Sequence, residues 1–279
     1  MKTEYTIRLL TMDDAAEAAK LWSLVFGDEE SVVLAFFRLF AHQKGFGACA
    51  EADGNIVAAA YCPRETDYIA PDGSVHRGVY LYAVATHPEH RKQKLAQRVC
   101  NLLKDTAREQ GTDFLFTRPS EDSLYPWYEE HIGAVPVLGG EQLEFERTEA
   151  VALPCAPLTA EEYGKQRTQH LAGLPHVRHS SRWMEWESVL HSAYGGGCVQ
   201  IAGHIADYYS DAHSGMLQVN ELLPHPTREQ AQSLCAALMT YTGTSRCSCM
   251  VHGSGRYVSA AAKSGVLPED NPWFGVCYG

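Results

Sequence analysis

Residues 82–99, YAVATHPEHRKQKLAQRV, decide how this chain is read. An apolar run ends at Thr86, a His-Pro pair follows, and Arg91, Lys92, Lys94 and Arg98 gather where an amphipathic helix begins. A strand that feeds a helix through a tight turn leaves the first N–H groups of the helix unpaired and facing the turn. With the positive end of the helix dipole, those amides attract anions. Four bases against the single acid Glu89 make a basic corner in a chain of net charge −11. Phosphate groups are its natural guests.

The chain has 279 residues, enough for one large domain or two modest ones. Its 45% hydrophobic and 20% charged content is that of a globular protein. No apolar stretch reaches the roughly 20 residues that a membrane-spanning helix needs. MKTEYTIRLLTMDD turns polar too soon for a secretory leader, so a cytoplasmic protein without a membrane partner is expected. The acidic balance argues against nucleic acid as a partner. Nine scattered cysteines, with no Cys-x-x-Cys pair, read as reduced, mostly buried side chains. The pairs His87/His90 and His176/His179 lack companion ligands and read as loop histidines, so no metal site is predicted.

Residues 5–10 alternate as a strand, and Thr11 to Asp14 cap a helix over AAEAAKLWSLVF. A second helix is predicted from Glu30 to His42. Strands at 46–52 and 55–69 flank the turn signal Asp53-Gly54. VYLYAVA (79–85) reads as one interior strand, followed by a helix over 95–110 and a buried strand FLFT (114–117). A short helix at 123–133 precedes a hairpin, VPVL and QLEFER, turning at Gly139-Gly140. The stretch after Arg147 reads as a linker. Beyond it come helices at 159–172 and 181–193, strands in CVQIAGHIADYYS and GMLQVNELL, a helix at 227–241, a short strand RCSCMV, and a last strand near FGVCY. The predicted class is α/β (α+β), a mixed central sheet flanked by helices, with domains over 1–148 and 149–279.

The halves echo each other. GVYLYAVATHPEHRKQKLAQRVCNLL aligns with GMLQVNELLPHPTREQAQSLCAALM, each with an apolar strand, His-Pro and a helix carrying Ala-Gln. The second copy is shorter where the first carries its basic cluster.

This order of elements, over residues 5 to about 146, resembles the GNAT superfamily of acetyl-CoA-dependent N-acyltransferases. The likeness is sharpest at YAVATHPEHRKQKLA, which is similar to the family's central strand, pyrophosphate loop and following helix. Arg91 and Ala96 match the loop pattern Arg/Gln-x-x-Gly-x-Gly/Ala, while Lys94 and Lys92 stand where glycines are usual. With helical φ values the two lysines only add attraction; with positive φ each carries strain.

The resemblance implies acetyl-CoA as co-substrate, held by Arg91, Lys92, Gln93, Lys94, Leu95 and Ala96 and by the strand backbone at Val84, Ala85 and Thr86, with Ser120 and Glu121 along it. It implies direct transfer to a neutral amine, with Val84 N–H facing the thioester oxygen. Tyr128, then Tyr125, is the candidate acid for the leaving thiolate. The base is not legible: Glu65 and Asp67 read as solvated strand-end carboxylates. The tandem look is similar to the enhanced-intracellular-survival acetyltransferases, without their further C-terminal domain, and that likeness makes the Gly279 carboxylate a candidate. The second half, a degenerate GNAT-like domain, is expected to wall the acceptor pocket or to make a homo-oligomer contact. Trp183, Trp186 and Trp273 are candidate pocket aromatics with core packing as the stronger reading. The acceptor is expected to be a small-molecule or peptide amine. A domain that binds CoA without turnover, and a transferase with another acyl donor or a hydroxyl acceptor, are the rival readings.

Overall fold

The computed structural model describes residues 3–147, 149, 152–211, 215–261 and 271–275. The first half runs β1 (Thr6–Leu9), α1 (Ala15–Phe26), α2 (Glu30–Phe40), β2 (Gly47–Ala52), β3 (Asn55–Tyr61), β4 (Thr66–Ile69), β5 (Val75–His76), β6 (Gly78–Tyr80), β7 (Tyr82–Thr86), α3 (Leu95–Glu109), β8 (Phe114–Thr117), α4 (Tyr125–Ile132) and β9 (Val135–Glu146). The second runs β10 (Cys155–Leu158), α5 (Ala160–His170), β11 (His176–His179), α6 (Ser181–Tyr194), β12 (Gly197–Ile201), β13 (His204–Asp211), β14 (Met216–Leu223), α7 (Arg228–Thr242) and β15 (Arg246–Ala261).

Local chemistry accounts for most boundaries. Asp53 and Gly54 both take positive φ, as a two-residue hairpin between twisted strands requires. Thr159, Ser180 and Thr227 cap α5, α6 and α7 with their side chains, and Gly133, Gly195 and Gly243 end α4, α6 and α7 in the left-handed conformation.

Strands β1, β2, β3 and β7 form one sheet. A larger sheet runs β10-β12-β13-β14-β15-β8-β6, with β9 also on β15, and β11-β4-β5 form a third. Strand pairing therefore crosses between the halves, through β15 on β8 and β9 and through β11 on β4. Aromatic packing crosses as well: Phe36 lies 5.2 Å from Trp186, and Tyr80 and Tyr82 lie 5.4 and 5.8 Å from Trp183.

Six expectations are corrected. The run 79–85 is not one interior strand: β6 pairs with β8 and β7 pairs with β3, so it changes sheets at Leu81. The strand over 55–69 stops at Tyr61, and β4 is separate, because Pro63 offers no N–H to a ladder. The pair Gly139-Gly140 makes no hairpin: β9 passes straight through it. A Cβ at Gly139 would lie 2.9 Å from the Asn271 carbonyl oxygen, so the glycine serves close approach of the 271–275 segment. The presumed linker contains β10, and RCSCMV begins a 16-residue strand. His176 and His179 sit on β11, buried, their rings bonded to the carbonyls of Leu174 (2.8 Å) and Phe274 (2.9 Å). Of the strand expected near FGVCY, Trp273 bridges to Gly139 and His176, and residues 276–278 lie outside the described residues.

The second half is braced by a buried charge. Glu221 accepts from Arg167 Nε (2.9 Å), Tyr163 Oη (2.5 Å) and Trp273 Nε1 (2.5 Å). Arg167 also donates to the carbonyls of Val177 (3.0 Å) and Phe274 (3.2 Å), so one guanidinium ties α5, β11, β14 and the 271–275 segment together.

Glu221→Gln leaves that guanidinium buried without its counter-charge, and urea unfolding is expected to show a loss of about 3–5 kcal/mol. Burial lowers His176 and His225 to about 4 each. Between pH 6.5 and 4 the unfolded chain takes up protons that these histidines refuse when folded. Stability is therefore expected to fall as pH falls through that window, each histidine adding up to about 1.4 kcal/mol per pH unit. Urea midpoints that stay level from pH 7 to 4.5 would contradict this.

Candidate functional site

The change of sheets at Leu81 opens the molecule. Leu81 N–H still donates to Phe116 O (2.8 Å), and Thr117 Oγ1 donates to Leu81 O (2.9 Å). Beyond that point, among the described residues, β7 pairs with β3 alone, and its other edge turns away from β8. Pairing with β3 is itself interrupted between Ala59 and Tyr61, where Ala83 takes φ +46°. A non-glycine residue at positive φ costs about 1–2 kcal/mol, and such strain tends to sit where backbone is held for use.

Into this gap opens a cavity of about 460 Å³. One side is Leu81 to Val84, Thr117, Arg118, Ser120, Leu124 and Tyr128. The α1 end supplies Trp22, Phe26 and Asp28, and the second half supplies Leu190, Tyr194, Tyr209 and Ser210. Aromatic rings thus dominate the walls, with one carboxylate among them. Asp28 accepts from Trp22 Nε1 (2.6 Å) and from the Tyr194 hydroxyl, so a helix end of the first half is joined to a helix of the second. Sequence reasoning missed Asp28: only the fold brings Gly27-Asp28 against Tyr194.

Farther along β7, a second pocket of about 220 Å³ is lined by Thr86, His90, Arg91, Lys92, Lys94 to Gln97, Trp127 and His131. Val84 faces the first pocket and Thr86 the second, about 7 Å apart at the rise of a strand. Lys92 and Lys94 take φ of +64° and +57°, so both carry the strain that helical values would have avoided. Alternating left-handed residues turn successive amides toward one concavity, an arrangement that holds anions. Lys94 is the N-cap of α3 and no side chain caps the helix start. The start of α7 differs: Thr227 and Gln230 form a capping box that closes its first amides.

Tyr128 reaches the cavity from α4, buried, with Thr117 also on the cavity wall. Burial pushes its phenol well above the ordinary tyrosine range, so the group stays protonated and can donate a hydrogen bond. Tyr125 starts α4, half-buried against the core, and is not among the residues lining these pockets. Ala85 is buried against Ala59, Gln93 is exposed in the loop, and Glu121 is exposed and accepts from Ser123 Oγ (3.1 Å). None of the three lines either pocket.

Two further expectations are corrected. Glu65 is buried rather than solvated: it accepts from Gln43, Ser180 and Arg182, stapling the start of α6 to the first half. Asp67 pairs with Arg178 at 2.7 Å. Neither lines the cavity. Trp183, Trp186 and Trp273 are fully buried core side chains. Gly279 lies outside the described residues.

Residues 6–129 match the family described as the acetyltransferase (GNAT) domain. No curated protein matches the chain. Among solved structures, a GCN5-related N-acetyltransferase from Kribbella flavida aligns with a TM-score of 0.61 and 15% identity over 92% of this chain and 71% of that one. A GCN5-related N-acetyltransferase from Anabaena variabilis gives 0.63 at 10% identity, covering 93% and 73%. Eis1 from Mycobacterium abscessus gives 0.59 at 12% identity, covering 93% and 74%. At such identities the likeness is one of fold, and it extends over both halves of the chain.

Lys94→Gly removes about 1–2 kcal/mol of strain against about 0.5–1 kcal/mol of added chain entropy. Urea unfolding of the ligand-free chain is expected to show a small gain in stability rather than a loss.

Proposed function

We propose that the chain is an N-acetyltransferase that takes its acetyl group from acetyl-CoA and delivers it to a primary amine. The observation that carries this reading is the placing of two pockets along one strand, β7, with a basic helix start without a side-chain cap at one and an aromatic cavity at the other. A diphosphate suits the first, an extended amide-bearing arm suits an unpaired strand edge, and a thioester would then lie beside Val84 and Tyr128.

Bound there, acetyl-CoA supplies an activated acyl group. Arg91, Lys92 and Lys94 would attract and orient the diphosphate, and the amide N–H groups of Leu95, Ala96 and Gln97 would donate to its oxygens. The Val84 N–H meets negative charge developing on the thioester oxygen. Tyr128 donates its phenolic proton toward the departing sulfur; with its pKa raised, it acts chiefly as a hydrogen-bond donor.

On the acceptor side, Asp28 is the carboxylate that lines the cavity, surrounded by Trp22, Phe26, Tyr194 and Tyr209. A cationic amine with an apolar body fits a carboxylate set among aromatic faces. That is also the charge an acidic protein draws in. The second half contributes the opposite wall, in keeping with the expected walling of the acceptor pocket by a degenerate copy. The order β12, β13, β14, α7, β15 parallels β2, β3, β7, α3, β8, and α3 and α7 have 15 residues each.

Calorimetry is expected to show acetyl-CoA binding that weakens at least tenfold in the Arg91→Ala, Lys92→Ala double variant. On a panel of amines, Tyr128→Phe is expected to lower the rate of thiol release about 10- to 100-fold while coenzyme affinity changes less than threefold. Tight binding with no turnover on any amine would make the chain a coenzyme-binding module; absence of binding would remove the proposal.

A further inference from the structure

Behind the second-half wall of the cavity, three side chains from three elements converge. His191 on α6, Cys198 on β12 and Asp207 on β13 are all buried, with their donor atoms within 4.8 Å of one another. Asp207 Oδ2 lies 2.8 Å from His191 Nε2 and accepts a hydrogen bond from the Cys198 thiol at 3.5 Å. The shorter approach is not a hydrogen bond. Buried Nε2 has no hydrogen-bond partner, so the carboxylate oxygen stands off the axis of the ring nitrogen. A buried imidazole nitrogen without a hydrogen-bond partner among the described residues, facing a carboxylate and a thiol, can share one ion with them, and leaving such an atom unpaired costs about 1–3 kcal/mol.

The surroundings hold each donor in place. Asp207 Oδ1 accepts from Asn220 Nδ2 (2.9 Å), which leaves Oδ2 to face His191 and Cys198. The Gly196 backbone is pressed onto the imidazole: a Cβ there would lie 2.8 Å from His191 Cδ2 and 2.5 Å from Tyr208 O. Partners of this kind, orienting the ligands from outside, are what metal sites need.

Charge points the same way. Among the described residues, Asp207 and Glu221 of the second half are fully buried, while Arg167 is the one buried lysine or arginine. Arg167 is engaged with Glu221 at 2.9 Å. Burying the Asp207 carboxylate costs several kcal/mol, which a cation shared with His191 and Cys198 offsets.

We infer that His191 Nε2, Cys198 Sγ and Asp207 Oδ2 bind a divalent transition-metal ion, zinc by the chemistry of the donors. Imidazole and thiolate favour zinc over magnesium or calcium, which take oxygen ligands. Cys198 binds as thiolate and releases its proton to solvent. The three donors leave the remaining position of a tetrahedral ion to water or to a further protein oxygen. The ion pins α6 to the β12–β13 hairpin directly behind Leu190, Tyr194 and Tyr209, so its role is to fix that wall rather than to touch a substrate. The inference is independent of what the cavity binds.

The test uses the full-length chain, purified without chelator or affinity histidines. Elemental analysis after incubation with zinc and desalting is expected to give about one equivalent per chain. Cobalt added to the metal-stripped chain is expected to produce a thiolate-to-cobalt charge-transfer band, absent in Cys198→Ser. Asp207→Asn, which keeps the shape of the side chain, is expected to weaken zinc binding at least tenfold. Less than about a tenth of an equivalent in the folded wild-type chain overturns the proposal. So does a wild-type cobalt spectrum without the thiolate band, and both readings stand even where a variant fails to fold.

Discussion

The hydrogen bond from Leu81 N–H to Phe116 O is, among the described residues, the last backbone-to-backbone one that joins the 78–86 run to β8. One residue later the strand belongs to another sheet. Everything proposed for the site rests on that divergence, because an edge of N–H and C=O groups remains without a neighbouring strand. The divergence is held by bulk. Trp183 stands against both Tyr80 and Tyr82, one residue on each side of Leu81, and Trp22 backs Tyr82 at 5.6 Å. Since Trp183 comes from α6, the second half keeps open a gap that the first half contains.

The two parallel strand-to-helix corners separate the roles of the halves on physical grounds. At α7, Thr227 and Gln230 satisfy the first amides, and the turn closes on itself. At α3 the corresponding amides lack a side-chain cap, two lysines accept left-handed backbone, and the basic side chains are exposed around them. A protein that tolerates about 1–2 kcal/mol at each of two neighbouring residues is holding a shape for something other than its own stability. The interior of the second half spends its polar groups differently, on Arg167, Glu221 and Asp207, which fix the strands behind the cavity wall.

Much of the architecture was legible because local chemistry acts within a few residues. Asp53-Gly54 marked a hairpin, Thr159 and Thr227 marked helix starts, and the apolar spacing of 15–26 and 95–109 marked amphipathic helices. The basic corner was visible too, since a charge cluster at a strand–helix junction needs no partner from elsewhere to be recognised. Misreadings came where distant segments decide. Gly139-Gly140 looks like a turn until the 271–275 segment is seen to require the space. Glu65 looks like a surface carboxylate until Gln43 and Ser180 arrive.

The order of strands and helices, the basic junction and the candidate residues around it follow from the chain's own short-range pattern. Which edge of the 78–86 run lies open, and that Asp28 and Tyr194 meet across the cavity, depend on packing between residues more than 100 positions apart. So does the convergence of buried donors on Asp207, though over a shorter span. Periodicity and capping report on neighbours along the backbone; they carry no information about which side chains the folded sheets bring face to face.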